Sequence, residues 1–204
     1  MPSLKKVIVA ALVALFIPVL VNAGGVGVYV PYSMGIEADR TSTDDWTGVE
    51  SEYSYELERK SGLGIAFATN LGQERVFGYK FALEFTNPKS KTWTNSSDKI
   101  EMLHTFEFGI ARTQDVKFWI GPRINMGYET FDNSSYERDG IEFGVGPAVG
   151  ININLGQQFT IAFDIDYKYA WQGGSWSTAS GDGTYESDIT GATARLGVFY
   201  RFNE

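Results

Sequence analysis

The 204-residue chain has no cysteine, which excludes disulfide bridges, an acylated N-terminal cysteine and thiolate metal sites. It has one histidine, His104, so a metal site built on paired histidines is excluded too, and neither a metal nor a cofactor is expected. Basic residues are few, 17 against 25 acidic, for a formal net charge of -8. Such a chain repels a phosphate backbone, so nucleic acid is not an expected partner. After the first two dozen residues no apolar run is long enough for a membrane helix. Glycine (23 residues) and aromatics (15 %) are plentiful, a mixture that suits strands joined by many turns. At 43 % hydrophobic, the chain is too apolar to stay disordered.

The first segment reads as an export address. Lys5 and Lys6 precede an apolar run from Val7 to Val21, followed by Val21-Asn22-Ala23. A charged start, a hydrophobic stretch and a small-residue site make a signal peptide. The stretch is shorter than the roughly 20 residues a helix needs to cross a bilayer. Residues 1–23 are therefore expected to be removed by cleavage after Ala23, leaving residues 24–204 as one domain. Losing Lys5 and Lys6 takes the formal charge from -8 to -10.

From Gly24 onward the periodicity is two, not 3.6. Phe77, Tyr79, Phe81, Leu83 and Phe85 alternate with Gly78, Lys80, Ala82 and Glu84. Ile161, Phe163, Ile165, Tyr167 and Tyr169 alternate with Ala162, Asp164, Asp166 and Lys168. Alternate residues of a strand face opposite sides, so each strand has an apolar face and a face of glycine, alanine and charge. Eight strands are predicted, at 25–37, 53–69, 76–87, 99–112, 117–131, 141–154, 159–172 and 190–202. Short turns fall at Asn70 to Arg75, Arg112 to Lys117 and Asn154 to Gln158. Long polar loops are expected at 38–52, 88–98, 132–140 and 173–189. Asn70-Leu71-Gly72-Gln73 returns 84 residues later as Asn154-Leu155-Gly156-Gln157, a regularity expected of hairpins that climb and descend one layer.

An even number of strands, with short turns at one end and long loops at the other, is the signature of an outer-membrane barrel. A secreted soluble barrel, apolar inside and polar outside, alternates in the same way. Three features favour the membrane form. The polar face is small, with Gly62, Gly64, Gly78, Gly121, Gly127, Gly144, Gly146, Gly150 and Gly197 on it, as a crowded interior requires and a solvated surface does not. Aromatics gather near strand ends: Phe77, Phe118 and Phe159 beside the short turns, and Tyr53, Tyr55, Phe85, Tyr128, Phe131, Tyr169 and Trp171 beside the long loops. Two such girdles suit the two membrane interfaces. Third, the last strand alternates Ala192, Ala194, Leu196, Val198, Tyr200, Phe202, with Asn203 and Glu204 after the final phenylalanine.

That ending resembles the terminal signal of Gram-negative outer-membrane proteins, and the whole of residues 24–204 resembles the small barrels of the OmpX, OmpA and OmpW type in architecture. The resemblance implies an all-β fold: an eight-stranded antiparallel up-and-down transmembrane β-barrel in the cell outer membrane. It implies contact with outer-membrane lipid and lipopolysaccharide, and recognition of the C-terminal strand by the barrel-assembly machinery. A monomer is expected. No family-specific functional motif accompanies the resemblance.

Inside such a barrel, Lys60, Lys80, Arg123, Lys168, Arg195 and Arg201 are expected to face Glu58, Glu84, Glu101, Glu107, Glu129, Glu142, Asp164 and Asp166. Charges confined there should pair, because an unpaired buried charge is costly. Eight strands leave a lumen that side chains can fill. The network then reads either as a plug that supports the fold or as the lining of a narrow path for small solutes. No hydrophobic channel is visible in the pattern.

Catalysis rests on His104, which falls with Met102, Phe106 and Phe108 on the outward face. Ser96, Ser97 and Asp98 lie in the loop before this strand and Glu107 lies on it, but they form no recognisable nucleophile–base motif. No catalytic residue is assigned. Gly144, Gly146 and Gly150 follow strand period and not a dinucleotide loop. In the loops, Asp39, Asp44, Asp45, Glu50 and Glu52 stand with Arg40 and Trp46, and Trp171, Trp176, Asp182, Tyr185, Glu186 and Asp188 stand in the last. Lys89 and Lys91 could meet lipid phosphates. The function expected is a non-enzymatic barrel with a structural or surface-interaction role carried by its loops. A narrow porin-like channel is the alternative, with a lipid-modifying enzyme behind both.

Overall fold

The computed structural model describes residues 24–71, 76–90, 96–133 and 135–202, and within these the side chains of 58–61 and 90 are outside the description. The expected signal peptide and its cleavage site, the residues Lys91 and Glu204, and the Gly72–Gln73 copy of the repeat lie outside the described residues. Eight strands are present: β1 Gly25–Asp44, β2 Glu50–Ala68, β3 Phe77–Ser90, β4 Asp98–Arg112, β5 Val116–Asn133, β6 Tyr136–Leu155, β7 Phe159–Thr178 and β8 Gly181–Arg201. Each pairs antiparallel with the next, and β8 pairs with β1 from Gly25↔Arg201 to Asp44↔Gly183, closing the barrel.

The apolar residues face outward over one band. On β7 the outward series is Phe159, Ile161, Phe163, Ile165, Tyr167, Tyr169 and Trp171, and then Ser175 and Ser177. On β8 it is Tyr200, Val198, Leu196, Ala194 and Ala192, and then Thr190, Asp188 and Glu186. A rise of about 3.3 Å per residue carries Phe159 to Trp171 about 40 Å along the strand, or about 30 Å of height at the usual tilt. That is the height of a lipid-facing band, and a closed ring with an apolar exterior satisfies every strand edge inside the membrane.

The strands are longer than expected, chiefly at the end away from the short turns. The segments 38–52, 132–140 and 173–189, expected as loops, are mostly strand, and the tips are brief. Beyond the band the outward series turns polar, as at Ser175, Ser177, Asp188 and Glu186, so the apolar outer face that reveals a strand is lost while backbone pairing continues.

The bulge at Gly35 changes which residues point inward. Met34 pairs with Ala192 and Ile36 with Gly191, leaving Gly35, at φ 63°, outside the ladder. Below it Tyr29 is buried inside while Val28 and Val30 face out; above it Ile36, Ala38 and Arg40 turn inward and Glu37 and Asp39 outward. β2 shifts register between Arg59 and Gly62. Leu57, Tyr55 and Tyr53 stand directly opposite Ile36, Ala38 and Arg40 and share their inner face. Tyr53 and Tyr55 are therefore not part of an outer girdle, and neither is Phe131, which continues the inward series Lys117, Trp119, Arg123, Asn125, Glu129.

Candidate functional site

The interior is built in layers. Toward the short turns, Tyr29, Trp119 and Phe199 lie across the lumen on bare backbone. A Cβ on Gly64 would sit 2.0 Å from Tyr29 Cζ, and one on Gly150 would sit 2.5 Å from Trp119 Cζ2. Tyr29 and Phe199 join Ala66, Ala68, Leu71, Ala82, Leu103 and Ala162 in an apolar cluster, an interior feature the charge pattern does not reveal.

The middle layer is ionic. Arg123 Nη1 meets Asp166 Oδ1 at 2.6 Å and Asp164 Oδ1 at 2.9 Å. Arg195 meets Glu84 at 2.8 Å through Nε and Asp166 through Nη1. Lys80 meets Asp164 at 3.2 Å and Glu107 at 3.3 Å, and Lys117 meets Glu107 at 3.1 Å. Four cations face four carboxylates, all buried. Between Tyr29, Lys80, Arg123, Asp164 and Arg195 a void of about 10 Å³ remains. A cavity of that size holds about one water.

A second network lies above. Lys168 meets Glu142 at 2.6 Å and Glu101 at 3.1 Å, Lys99 meets the same two at 2.5 and 3.2 Å, and Asn125 donates to Glu142 at 2.8 Å. Two cations thus face two carboxylates. Ile36, Ala38, Ala170 and Ile189 then pack together, with Tyr55 and Leu57 against them.

Above this apolar layer lies the outer mouth, whose inward side chains are largely buried. Arg138 meets Glu129 at 2.5 Å, and Gln172 donates to the other oxygen of Glu129 at 3.0 Å. Burial opposes the charge of Arg138, but Glu129 more than offsets it and lifts its pKa above the usual range. Burial likewise keeps the Tyr185 hydroxyl protonated well above the ordinary phenol range. Trp176 and Tyr185, expected on an exposed loop, point into this mouth, as Arg40 does.

Of the residues expected inside, Lys80, Glu84, Glu101, Glu107, Arg123, Glu142, Asp164, Asp166, Lys168 and Arg195 lie within the two networks, and Glu129 lies at the mouth. Arg201 does not join them. It sits at the rim beside the short turns, where its Nη2 donates to the Gly156 carbonyl. The side chains of Glu58 and Lys60 lie outside the described residues. Four interior cations were not anticipated: Lys99, Lys117, Arg40 and Arg138. The first two share the odd-numbered inward face of Glu101 and Arg123 and were legible from parity, although they stand at strand ends. Arg138 alternates with Tyr136 and Gly140 in a segment too polar to read as strand, and Arg40 lies past the bulge.

His104 faces outward, where its Nδ1 shares a hydrogen bond of 2.6 Å with the Tyr79 hydroxyl. Glu107 lies on the other side of the wall, paired with Lys80 and Lys117. Ser97 and Asp98 stand near the outer end of β4, Ser97 against the Pro88 carbonyl and Asp98 against Asn87. Of the expected partners, Ser97, Asp98 and Glu107 are engaged elsewhere and none is brought to His104.

No family model matches the chain, and no curated protein matches it. Among solved structures it is similar to the outer membrane protein OprG from Pseudomonas aeruginosa, at 12 % identity over 90 % of this chain and 98 % of that one, with a TM-score of 0.60. Neisserial surface protein A (NspA) is 12 % identical over 86 % of this chain and 97 % of that one, at a TM-score of 0.40. Ail, the attachment invasion locus protein of Yersinia pestis, is 15 % identical over 87 % of this chain and 99 % of that one, at 0.39.

Proposed function

We propose that this chain, an outer-membrane β-barrel of eight strands by its fold and its lipid-facing band, is non-enzymatic, does not conduct, and acts through the part that stands outside the membrane. The observation that carries this reading is the filled midsection. Two balanced ion networks and an apolar layer occupy the lumen, and the void among the central charges is about 10 Å³. A conducting path would need these pairs to part, and separating a buried pair leaves charges uncompensated. The strands run on past the band, which gives the outer part a wall of paired backbone. Binding surfaces commonly sit on such a rigid frame. That wall carries Glu37, Asp39, Glu52, Glu186 and Asp188 outward, while Arg40 and Arg138 turn into the mouth. Outer-membrane lipid and lipopolysaccharide are the partners proposed for the exterior, with the C-terminal strand presented for assembly.

The test is conductance of the folded chain in planar bilayers, with insertion verified by heat-modifiable migration on a gel. An inserted but electrically silent barrel is expected. Discrete steps that scale with salt would overturn the reading and restore the narrow channel.

A further inference from the structure

Among the described side chains turned into the outer mouth, two cations stand against one carboxylate, although the wall around them carries Asp39, Glu52, Glu186 and Asp188. Arg40 and Arg138 both point inward, and Glu129 is occupied by Arg138 and Gln172. Among the described residues no carboxylate lies in ion-pair range of Arg40, although it is 4 % exposed. Its Nε donates to the Ser187 hydroxyl at 2.7 Å and its Nη2 to Gln172 Oε1 at 3.3 Å. Its guanidinium otherwise rests on rings, 4.3 Å from the centre of Tyr185 and 5.1 Å from that of Tyr55. A buried cation held by neutral acceptors and ring faces is a receptor for an anion.

A further group at the same inner face points the same way. The Tyr185 hydroxyl is buried and finds no acceptor among the described residues. Tyr185 is 3 % exposed, and it reaches its place over glycine: a Cβ on Gly140 would meet its oxygen at 2.1 Å. Buried donors are ordinarily satisfied, so an orphaned hydroxyl on the ring that carries the Arg40 guanidinium marks a place for an acceptor. Around it stand ring faces that are not fully covered. Tyr136 stacks on Trp176 at 6.4 Å and 18°, and Phe131 lies 5.8 Å from Tyr136. Tyr53 opens to solvent.

We propose that the outer mouth binds a small organic anion bearing an aromatic ring, with its carboxylate taken by Arg40 and the Tyr185 hydroxyl, and its ring set against Trp176, Tyr136 and Phe131. The proposal rests on the reading that the outer end carries the function, but not on the silence of the barrel. The apolar layer of Ile36, Ala38, Ala170 and Ile189 forms the floor, so the ligand is held at the mouth and not passed inward. A cation of the same shape would meet Arg40 and Arg138 unfavourably, and a bare inorganic anion would leave the rings unused.

The folded chain in micelles is titrated with benzoate, benzyl alcohol and inorganic phosphate, by calorimetry and by the indole N–H resonance of Trp176, assigned with Trp176→Phe. Benzoate is expected to move that resonance and to bind about tenfold or more tightly than either control. Arg40→Gln should weaken benzoate about tenfold, and Tyr185→Phe, which removes one oxygen, should weaken it severalfold. Asp39→Asn on the outer wall should leave it within about a factor of two. Equal affinity for benzyl alcohol, equal affinity for phosphate, or indifference to both Arg40→Gln and Tyr185→Phe overturns the site. So does the absence of any benzoate response at millimolar concentration in folded protein, and that result leaves the non-conducting reading intact. Conductance steps in protein that binds benzoate would do the reverse.

Discussion

Arg123 carries the interior at the scale of single residues. It touches Asp164 and Asp166 at once and also donates from Nε to the Thr105 hydroxyl at 2.8 Å. Arg123→Met keeps the bulk and leaves Asp164 to Lys80 and Asp166 to Arg195, with one buried negative charge in excess. A loss of about 3–5 kcal/mol is expected, read from the urea midpoint of the lipid-embedded chain. A loss below about 1 kcal/mol would mean that Lys80 and Arg195 satisfy both carboxylates by themselves. Parity made this site legible, because Arg123, Asp164 and Asp166 sit on the small-residue face of their strands. Which carboxylate each cation would take was not legible. Lys80 and Asp164 are 84 residues apart and meet only across the closed lumen. At the outer tip, Asp44 accepts hydrogen bonds from the Thr47 backbone N–H at 2.7 Å, the Thr47 hydroxyl at 2.8 Å and the Trp46 N–H at 3.1 Å. The Thr47 N–H foremost holds its pKa below the ordinary 3.8. A depressed folded value means that the carboxylate's stabilisation of the turn is present above the ordinary pKa and is lost as the pH falls through the folded one. The titration of the Asp44 carboxyl carbon by NMR should therefore have its midpoint below 3.8. A midpoint at or above that value would show that the turn does not hold the carboxylate.

At the scale of elements, the bulge in β1 decides most. Even-numbered residues are apolar without a break from Val28 through Ile36 to Ala38, so the sequence alternation passes Gly35 with no sign that the chain changes face. The physical reason for the change is that the strand leaves the lipid there. Apolar side chains that faced lipid below it turn in to form the interior layer, and Glu37 and Asp39 turn out to water. Only the backbone at φ 63° accomplishes this, a conformation a side chain disfavours. A Cβ there would meet nothing within 4 Å, so Gly35→Ala isolates the backbone cost. A loss of about 1–2 kcal/mol in unfolding free energy is expected, with Gly35→Asn losing less. An unchanged midpoint would place the bulge elsewhere. The repeated turn has a plainer cause. Gly156 supplies a φ of 65° at its tip, and both repeated asparagines reach the following strand, Asn70 to the Phe77 carbonyl at 2.9 Å and Asn154 from the Thr160 hydroxyl at 2.8 Å.

At the scale of the molecule, orientation follows from the asymmetry of the two ends, because short turns face the periplasm and the longer structure faces outward in this architecture. The absence of native cysteine makes this directly testable. Trp46→Cys, at the exposed outer tip, should react with a membrane-impermeant maleimide in intact cells. Gln114→Cys, in the turn between β4 and β5, should react only once the outer membrane is opened. The opposite labelling would invert the barrel. What the sequence by itself determined is the β class, the strand number and the lipid-facing side, since alternation is local and records the contrast between two surroundings. Where that contrast ends, so does its information. The height of the wall, the face taken above Gly35, the partner of each buried charge and the ring-lined mouth were decided only by closure, which brings distant strands across one lumen and sets which side chains meet.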